Sequence, residues 1–179
     1  MPDRTPSRDP ATPANVAEIF DGIMSHTLGY VAANHGELAA HHLFFELYDR
    51  TFAFLEREFG PEAVEAYWAS IADTRLGALE GLMRAKGFKG MEEYWRATLG
   101  QEGADYDMQV ADDSFSVRVK SCPPNAWFRS RGLDKYPRYC DHCRVLYQRV
   151  GTRCGYAMEY FPPDEKAGLC CGARFTKLS

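Results

Sequence analysis

The sequence predicts an α+β fold in which a helical first half packs on an antiparallel sheet formed by the second half. Apolar residues recur every three or four positions up to about residue 104, whereas short segments after it alternate apolar and polar residues. All six cysteines lie after position 121, so the two halves also differ in chemistry. Helices followed by strands in separate parts of a chain are typical of α+β domains. We expect one domain over 16–179, with a helical part at 16–104 and a sheet part at 105–179.

The helical part is predicted to contain three to four helices. The first covers 16–33, the second 37–59, the third runs from 61 to about 86, and a short helix follows at 91–99. Gly60 and Pro61 separate the second helix from the third, because Gly suits the position after a helix and Pro suits a first turn. The second helix has apolar residues on two faces, which allows either a well-covered core helix or a homodimer contact.

The sheet part is predicted to contain four strands with short helices inserted between them. Two alternating segments flank the Asp112-Asp113 turn and form a β-hairpin. Pro123 and Pro124 end the second strand and can open a short helix, and a longer helix is expected from Tyr136 to about Val150. A third strand is predicted around 156–160, and a final strand at 169–176.

The charge balance argues against nucleic acid as a partner. The chain has 179 residues, and its 21 basic and 25 acidic residues give a formal charge of −4. Residues 1–15 carry no apolar core of a signal peptide and are expected to form a disordered tail. No segment approaches the ~18 apolar residues of a membrane span. We therefore expect a cytoplasmic protein with reduced thiols that acts on a small molecule.

Two cysteines on one predicted helix are the first candidates for chemistry. With Pro137 near the start of the helix, Cys140 falls in the first turn, where the helix dipole favours a thiolate. Cys143 and Tyr147 share the face of Cys140 at spacings of three and four, and His142 is the candidate base. The alternative is that both cysteines are packing residues, because free Cys is often buried.

Further candidates lie on the strands. Cys122 ends the second strand beside a helix start, where backbone N–H groups could hold an anion. Strand alternation predicts that Cys171 points into a pocket while Cys170 points away from it. The same alternation groups Arg118 with Lys120 and Cys122, and Arg174 with Cys170. These cations could bind a substrate carboxylate, or they could lie on a solvated sheet face.

Metal binding is an open alternative for the same thiols. Cys140 and Cys143 supply half of a tetrahedral site, and Cys122 with Cys170 or Cys171 could supply the rest, for zinc or an iron–sulfur centre. No cofactor is expected under the leading hypothesis, and a thiol–disulfide switch at the Cys140 pair is a further alternative. The other histidines are expected to be ordinary core or surface residues; these are His26, His35, His41 and His42.

Three sequence blocks occur in a recognisable order in the second half. They are Cys122-Pro123, Tyr139-Cys140-Asp141-His142-Cys143 with Leu146-Tyr147, and Gly168-Leu169-Cys170-Cys171-Gly172-Ala173-Arg174-Phe175. Together they resemble the 2-amino-thiazoline-4-carboxylate (ATC) hydrolase-like family. The resemblance implies a helical cap on an antiparallel sheet and hydrolysis of a carbon–nitrogen bond in a small cyclic amidine. The positions that match are Cys122, Cys140, Cys143, Cys171 and Arg174.

The leading functional hypothesis is therefore a cysteine-assisted hydrolase. Cys122 or Cys140 would attack the substrate carbon, and His142 or Asp141 would carry the proton. Cys143 or Cys171 would shape the pocket. Substrate-binding roles are expected for three residues, Arg174, Arg118 and Tyr147. Two alternatives remain open: a thiol-lined domain that binds a small ligand or a soft metal without turnover, and purely structural cysteines with the function in the helical half.

Overall fold

The predicted α+β fold is confirmed by a computed structural model that describes residues 13–164, 166 and 168–178, with side chains from residue 18. The helices are α1 (Pro13–His35), α2 (Glu37–Phe59), α3 (Pro61–Arg75), α4 (Gly77–Lys86), α5 (Phe88–Glu102), α6 (Pro123–Arg131) and α7 (Asp141–Arg153). The strands are β1 (Asp105–Val110), β2 (Ser114–Ser121), β3 (Tyr156–Phe161) and β4 (Cys171–Lys177). The expected disordered tail falls largely outside the described residues, and residues 13–15 already belong to α1.

The helical part contains five helices rather than three or four. The predicted third helix is two helices, because the backbone of Leu76 leaves helical geometry between α3 and α4. The short fourth helix is longer than expected at both ends and runs from Phe88 to Glu102 as α5. The predicted break at Gly60 is confirmed: its φ of 86° lies in the left-handed region that favours glycine.

The four strands form one antiparallel sheet in the order β1-β2-β4-β3. The hairpin of β1 and β2 is confirmed, and β4 lies between β2 and β3. One face of the sheet carries buried apolar side chains such as Phe115, Val117 and Phe175. The opposite face carries exposed charges, among them Arg118 and Arg174.

Two elements begin later than the sequence predicts. Helix α7 begins at Asp141, so Cys140 is its N-cap residue and not part of the first turn. Residues 137–140 form a turn before it. Strand β4 begins at Cys171, because Leu169 forms an isolated bridge with Asp164 and Cys170 lies in a bend. Cys170 therefore lies outside the strand whose alternation was expected to orient its side chain.

The helices cover the apolar face of the sheet, and the core lies between the two layers. Helix α7 packs against α3 and β3, while α5 contacts β1 and β2. The largest fully buried side chains include Trp68, Phe52 and Phe115. The buried Asp49 carboxylate of α2 accepts a 2.6 Å hydrogen bond from the backbone N–H of Tyr136, which ties the segment before α7 to the helical layer. No helix within the described part of the chain has the length and apolar character needed to cross a membrane.

Candidate functional site

A cavity of about 390 Å³ lies between the helical layer and the inner face of the sheet. Its walls come from α1, α2, α3, α5, α6 and α7 and from strands β2, β3 and β4. Aromatic and aliphatic side chains form most of the lining, including Phe44, Tyr94, Trp95, Val119 and Met158. A concave and mainly apolar site of this size suits a small organic molecule.

The structure brings most of the predicted site residues to this cavity. Four cysteines from three parts of the chain line it, namely Cys122, Cys140, Cys143 and Cys171. His142 and Tyr147 of α7 line it as well. All six cysteines are free thiols. The clustering of cysteines in the second half of the sequence therefore corresponds to a shared wall of one cavity.

Cys143 and His142 form the pair with the clearest catalytic geometry. Nδ1 of His142 contacts the carbonyl oxygen of Tyr139, which can only accept a hydrogen bond, so Nδ1 carries the proton. Nε2 is then an acceptor, and it lies 3.4 Å from Sγ of Cys143. A thiol beside an imidazole that is oriented by a third group is the arrangement of an activated nucleophile.

Burial keeps both members of this pair uncharged. It raises the pKa of Cys143 to about 12, and the neighbouring Cys140 and Glu102 act in the same direction. Burial also lowers the pKa of His142 to about 4. At neutral pH the thiol is therefore protonated and the imidazole is neutral, and both shifts make transfer of the proton from Cys143 to His142 less favourable.

Cys140 has a different environment, formed by two residues that the sequence analysis did not select. The ammonium group of Lys135 lies 3.1 Å from Sγ of Cys140, and it donates a 2.5 Å hydrogen bond to Oδ1 of Asn125. This contact places a positive charge directly against the sulfur of Cys140. The positive charge of Lys135 also opposes the effect of burial on the pKa of Cys143.

Asn125 connects Cys140 to a second group of thiols. Its Nδ2 donates a 3.1 Å hydrogen bond to Sγ of Cys170. The neighbouring side chains of Cys122, Cys171 and Asn125 lower the pKa of Cys170. Cys171 lines the cavity and Cys170 does not, as the sequence predicted, although Cys170 lies in a bend before β4 and not in the strand itself.

Cys122 occupies a helix N-terminus, but that terminus is a poor anion site. Cys122 is the N-cap of α6, and the next two residues are Pro123 and Pro124. Proline has no backbone N–H, so the first two donors of the helix are missing. The neighbouring Cys170 side chain and burial both raise the pKa of Cys122, which disfavours an anion here. The expected anion hole at this position is thus absent.

The predicted carboxylate-binding arginines lie outside the cavity. Arg118 and Arg174 are exposed on the outer face of the sheet, where Arg118 packs over the Phe161 ring and Arg174 reaches Ser114 Oγ at 3.4 Å. Cys122 turns to the inner face after β2 ends, so it does not share their surface. The cation that does line the cavity is Arg75 of α3, whose guanidinium is 3.5 Å from the Asp21 carboxylate.

The contacts of the remaining candidate residues are those of structural residues. Asp141 lies 3.5 Å from Arg138 and does not line the cavity. His42 stacks on Trp127 with ring centroids 3.7 Å apart. The Cys154 thiol contacts a backbone carbonyl at 3.9 Å, away from the other cysteines. His26 and His35 are exposed, and His41 is partly buried.

The alternative metal site gains no support from the arrangement of ligands. Within the described ranges, no three His, Cys, Asp or Glu side chains are grouped closely enough to hold a metal ion. This applies to the proposed set of Cys122, Cys140, Cys143 and Cys171, although all four line the same cavity.

Sequence reasoning missed Lys135, Asn125 and Arg75 because no spacing rule connects them to the cysteines. Lys135 lies in the segment between α6 and α7, and Asn125 is the third residue of α6. Glu102, at the end of α5, was also missed; it lines the cavity, and burial raises its pKa.

Comparison of the chain with models of known protein families, with characterised proteins and with solved structures gives no match. The resemblance to the ATC hydrolase-like family stays a prediction that rests on the three sequence blocks.

Proposed function

We propose that the protein is a cysteine-dependent hydrolase that cleaves a carbon–nitrogen bond in a small cyclic amidine or amide-like molecule. The observation that carries this proposal is the Cys143–His142 pair inside a cavity of about 390 Å³. The nucleophile differs from the one expected from the sequence, since His142 contacts Cys143 and not Cys122 or Cys140. The resemblance to ATC hydrolases supplies the substrate class.

The proposed reaction proceeds through a covalent intermediate on Cys143. Its sulfur bonds to the electrophilic carbon while its proton passes to Nε2 of His142. The carbon–nitrogen bond then breaks, and the departing nitrogen takes that proton. Water adds to the carbon of the intermediate, and cleavage of the sulfur–carbon bond returns a proton to Cys143. The Tyr139 carbonyl keeps the imidazole in the tautomer that these proton transfers need.

The lining of the cavity favours a substrate with a largely apolar body and few charges. A carboxylate on the substrate would have to bind near Arg75, because Arg118 and Arg174 lie on the other face of the sheet. Lys135 and Asn125 provide positive charge and a polar group beside Cys140. The reaction needs free thiols, which a reducing cytoplasm maintains.

A second candidate function is binding of a small apolar ligand without turnover. It is favoured by the dominance of aromatic and aliphatic side chains in the lining and by the burial that keeps the Cys143 thiol protonated. In that case the thiols would be packing or contact groups and not nucleophiles.

Two substitutions separate these functions. Purified protein is incubated with 2-amino-thiazoline-4-carboxylate and with an apolar cyclic amidine that lacks the carboxylate, and loss of each is followed by chromatography. Loss of the nucleophile in Cys143→Ser or of the base in His142→Asn should lower turnover by at least about 100-fold. Cys154→Ser is the matched control and should keep wild-type turnover, because Cys154 does not line the cavity.

Full activity of Cys143→Ser would contradict the assignment of Cys143 as the nucleophile. If folded wild-type protein binds either probe in calorimetry but forms no product, this result would favour the binding function and contradict the hydrolase. Far-ultraviolet circular dichroism of each variant shows whether a lost activity reflects lost folding.

A further inference from the structure

We infer that Glu102 is the counter-ion for a positively charged nitrogen of the ligand, so that the cavity between the helices and the sheet takes an organic cation such as a protonated amidine. The inference rests on the proposed function in one respect, that this cavity binds a small molecule, and it names the charge of that molecule. Glu102 is the last residue of α5, and its side chain lines the cavity.

The carboxylate of Glu102 is without a partner among the described residues. It is half-buried at the cavity wall, and no described side chain or backbone group forms a hydrogen bond or an ion pair with it. The buried carboxylate of Asp49 shows the usual arrangement, since it accepts a hydrogen bond from the backbone N–H of Tyr136. Burial raises the pKa of Glu102. A bound cation would therefore offset a cost that the fold leaves in place.

The nearest polar group on the same face of α5 is already engaged. Trp95, Thr98 and Glu102 follow one another at spacings of three and four, and all three line the cavity. The Thr98 hydroxyl donates its proton to the backbone carbonyl of Tyr94 at 3.0 Å, so it is not free to donate to Glu102. Helix α5 also has no basic side chain in its last turn, where the helix dipole favours a cation.

The positive charge of the cavity lining is already matched. The guanidinium of Arg75 lies 3.5 Å from the carboxylate of Asp21. His142 is neutral at pH 7, because burial lowers its pKa to about 4. Among the lining residues that the structure describes, the unmatched charge is thus the negative charge of Glu102. This charge favours a cationic ligand over a neutral or anionic molecule of the same shape.

The aromatic lining suits the same class of ligand. The rings of Trp95 and Tyr147 have centroids 4.9 Å apart, and both line the cavity with Tyr94. Aromatic faces attract organic cations, and their attraction is stronger where water is excluded. A planar amidinium also has two parallel N–H donors that can bind both oxygens of one carboxylate.

Pairing with Glu102 would also assist the proposed nucleophile. The charge of Glu102 is one of the causes that raise the pKa of Cys143 to about 12. A ligand cation that neutralises this charge lowers the cost of forming the thiolate. Protonation of an amidine makes its carbon more electrophilic as well.

A cationic probe and a neutral probe of the same shape test the inference. Benzamidine is a cation at neutral pH, and benzamide is uncharged. In isothermal titration calorimetry, the wild-type protein should bind benzamidine at least about tenfold more tightly than benzamide, because the hydrogen bonds to Glu102 are charge-assisted. Glu102→Gln should bind both probes with similar affinity, and an unchanged affinity for benzamide shows that its cavity is intact. Glu93→Gln is the matched control on α5: Glu93 pairs with Lys86 at the surface, and the preference should persist.

Nuclear magnetic resonance locates the bound cation. Trp95 lines the cavity, whereas Trp127 lines a second cavity of about 310 Å³ that Glu102 also borders. The indole N–H signals are assigned with Trp95→Phe and Trp127→Phe. Benzamidine should shift the Trp95 signal more than the Trp127 signal.

Four results would overturn the inference. They are equal affinity of the wild type for the two probes, no binding of either probe at millimolar concentration, an undiminished preference in Glu102→Gln, and a larger shift of the Trp127 signal. The first two need no variant to fold. A preference for benzamidine in a protein without turnover would support the inference and contradict the hydrolase, whereas turnover without any charge preference would do the reverse.

Discussion

Lys135 controls the charge balance of the thiol-lined wall. Its ammonium group is 3.1 Å from Sγ of Cys140 and also binds Asn125. Burial alone would disfavour every anion in this region, as the pKa of about 12 for Cys143 indicates. Lys135 holds one positive charge beside the sulfur of Cys140, and this charge opposes the rise in the pKa of Cys143.

Replacing Lys135 by methionine should therefore slow the reaction of Cys140 with the anionic reagent iodoacetate several-fold more than its reaction with neutral iodoacetamide, since a cation beside the sulfur attracts a negatively charged reagent. Both rates are measured for the peptide that contains Cys140 by mass spectrometry. Lys120→Met is the matched control, because Lys120 pairs with Asp107 at 2.9 Å on the outer face of the sheet. An equal change of the two Cys140 rates in Lys135→Met would contradict this role.

At the residue scale, the sequence predicted the members of the site better than their contacts. Helical spacing placed Cys140 and Cys143 on one side of α7, and both line the cavity with Tyr147. Contacts across loops follow no such spacing, so the part played by Lys135 was not predictable. Strand alternation predicted which residues share a face of the sheet with Arg174. It did not predict which face of the sheet packs against the helices.

At the scale of elements, the close crossing of α4 and α5 depends on one glycine. A Cβ atom added at Gly90 would lie 2.1 Å from the carbonyl oxygen of Leu82, so the two helices approach too closely for any other side chain. The crossing sets the direction of α5, which contributes Tyr94, Trp95 and Glu102 to the cavity.

Gly90→Ala should lower the free energy of unfolding by more than about 3 kcal/mol, because the Cβ meets backbone that cannot rotate away. Gly81→Ala is the matched control: Gly81 is exposed in α4 with nothing within 4 Å of an added Cβ. It should raise stability by about 0.5–1 kcal/mol, the usual gain of Ala over Gly inside a helix. Urea unfolding monitored by circular dichroism measures both. Equal effects of the two substitutions would contradict the close packing.

Elements with a long periodic pattern were predictable, and their junctions were not. Helix α2 and the hairpin of β1 and β2 match their predicted bounds closely, since each has a regular pattern and a clear turn. The start of β4 was placed two residues early because Leu169 continues the apolar alternation. That small shift places Cys170 outside the strand, so the alternation from which its orientation was predicted does not extend to it, because side chains alternate only inside a strand.

For the whole molecule, the layer arrangement places an ionisable imidazole in the interior. The helical layer and the sheet each supply one wall, and His142 lies between them in contact with Phe52 and Tyr139 rings. The sequence predicted both layers, but it did not predict the space between them, which depends on how far aromatic side chains hold the layers apart. Stability of the fold is consequently coupled to the protonation of this one group.

The sign of this coupling follows from the burial of His142, which lowers its pKa from 6.5 to about 4. Between these values the unfolded chain binds a proton that the folded protein does not, so stability falls as the pH decreases from 6.5 towards 4. The loss from this group between pH 7 and pH 5 should be about 2 kcal/mol. Urea unfolding at a series of pH values measures this dependence. Between pH 7 and pH 5 the free energy of unfolding of His142→Asn should fall by about 2 kcal/mol less than that of the wild type. The exposed His35 provides the control His35→Asn, which should follow the wild-type curve. Identical pH dependence in His142→Asn and the wild type would mean that the imidazole is protonated as easily in the fold as in the unfolded chain.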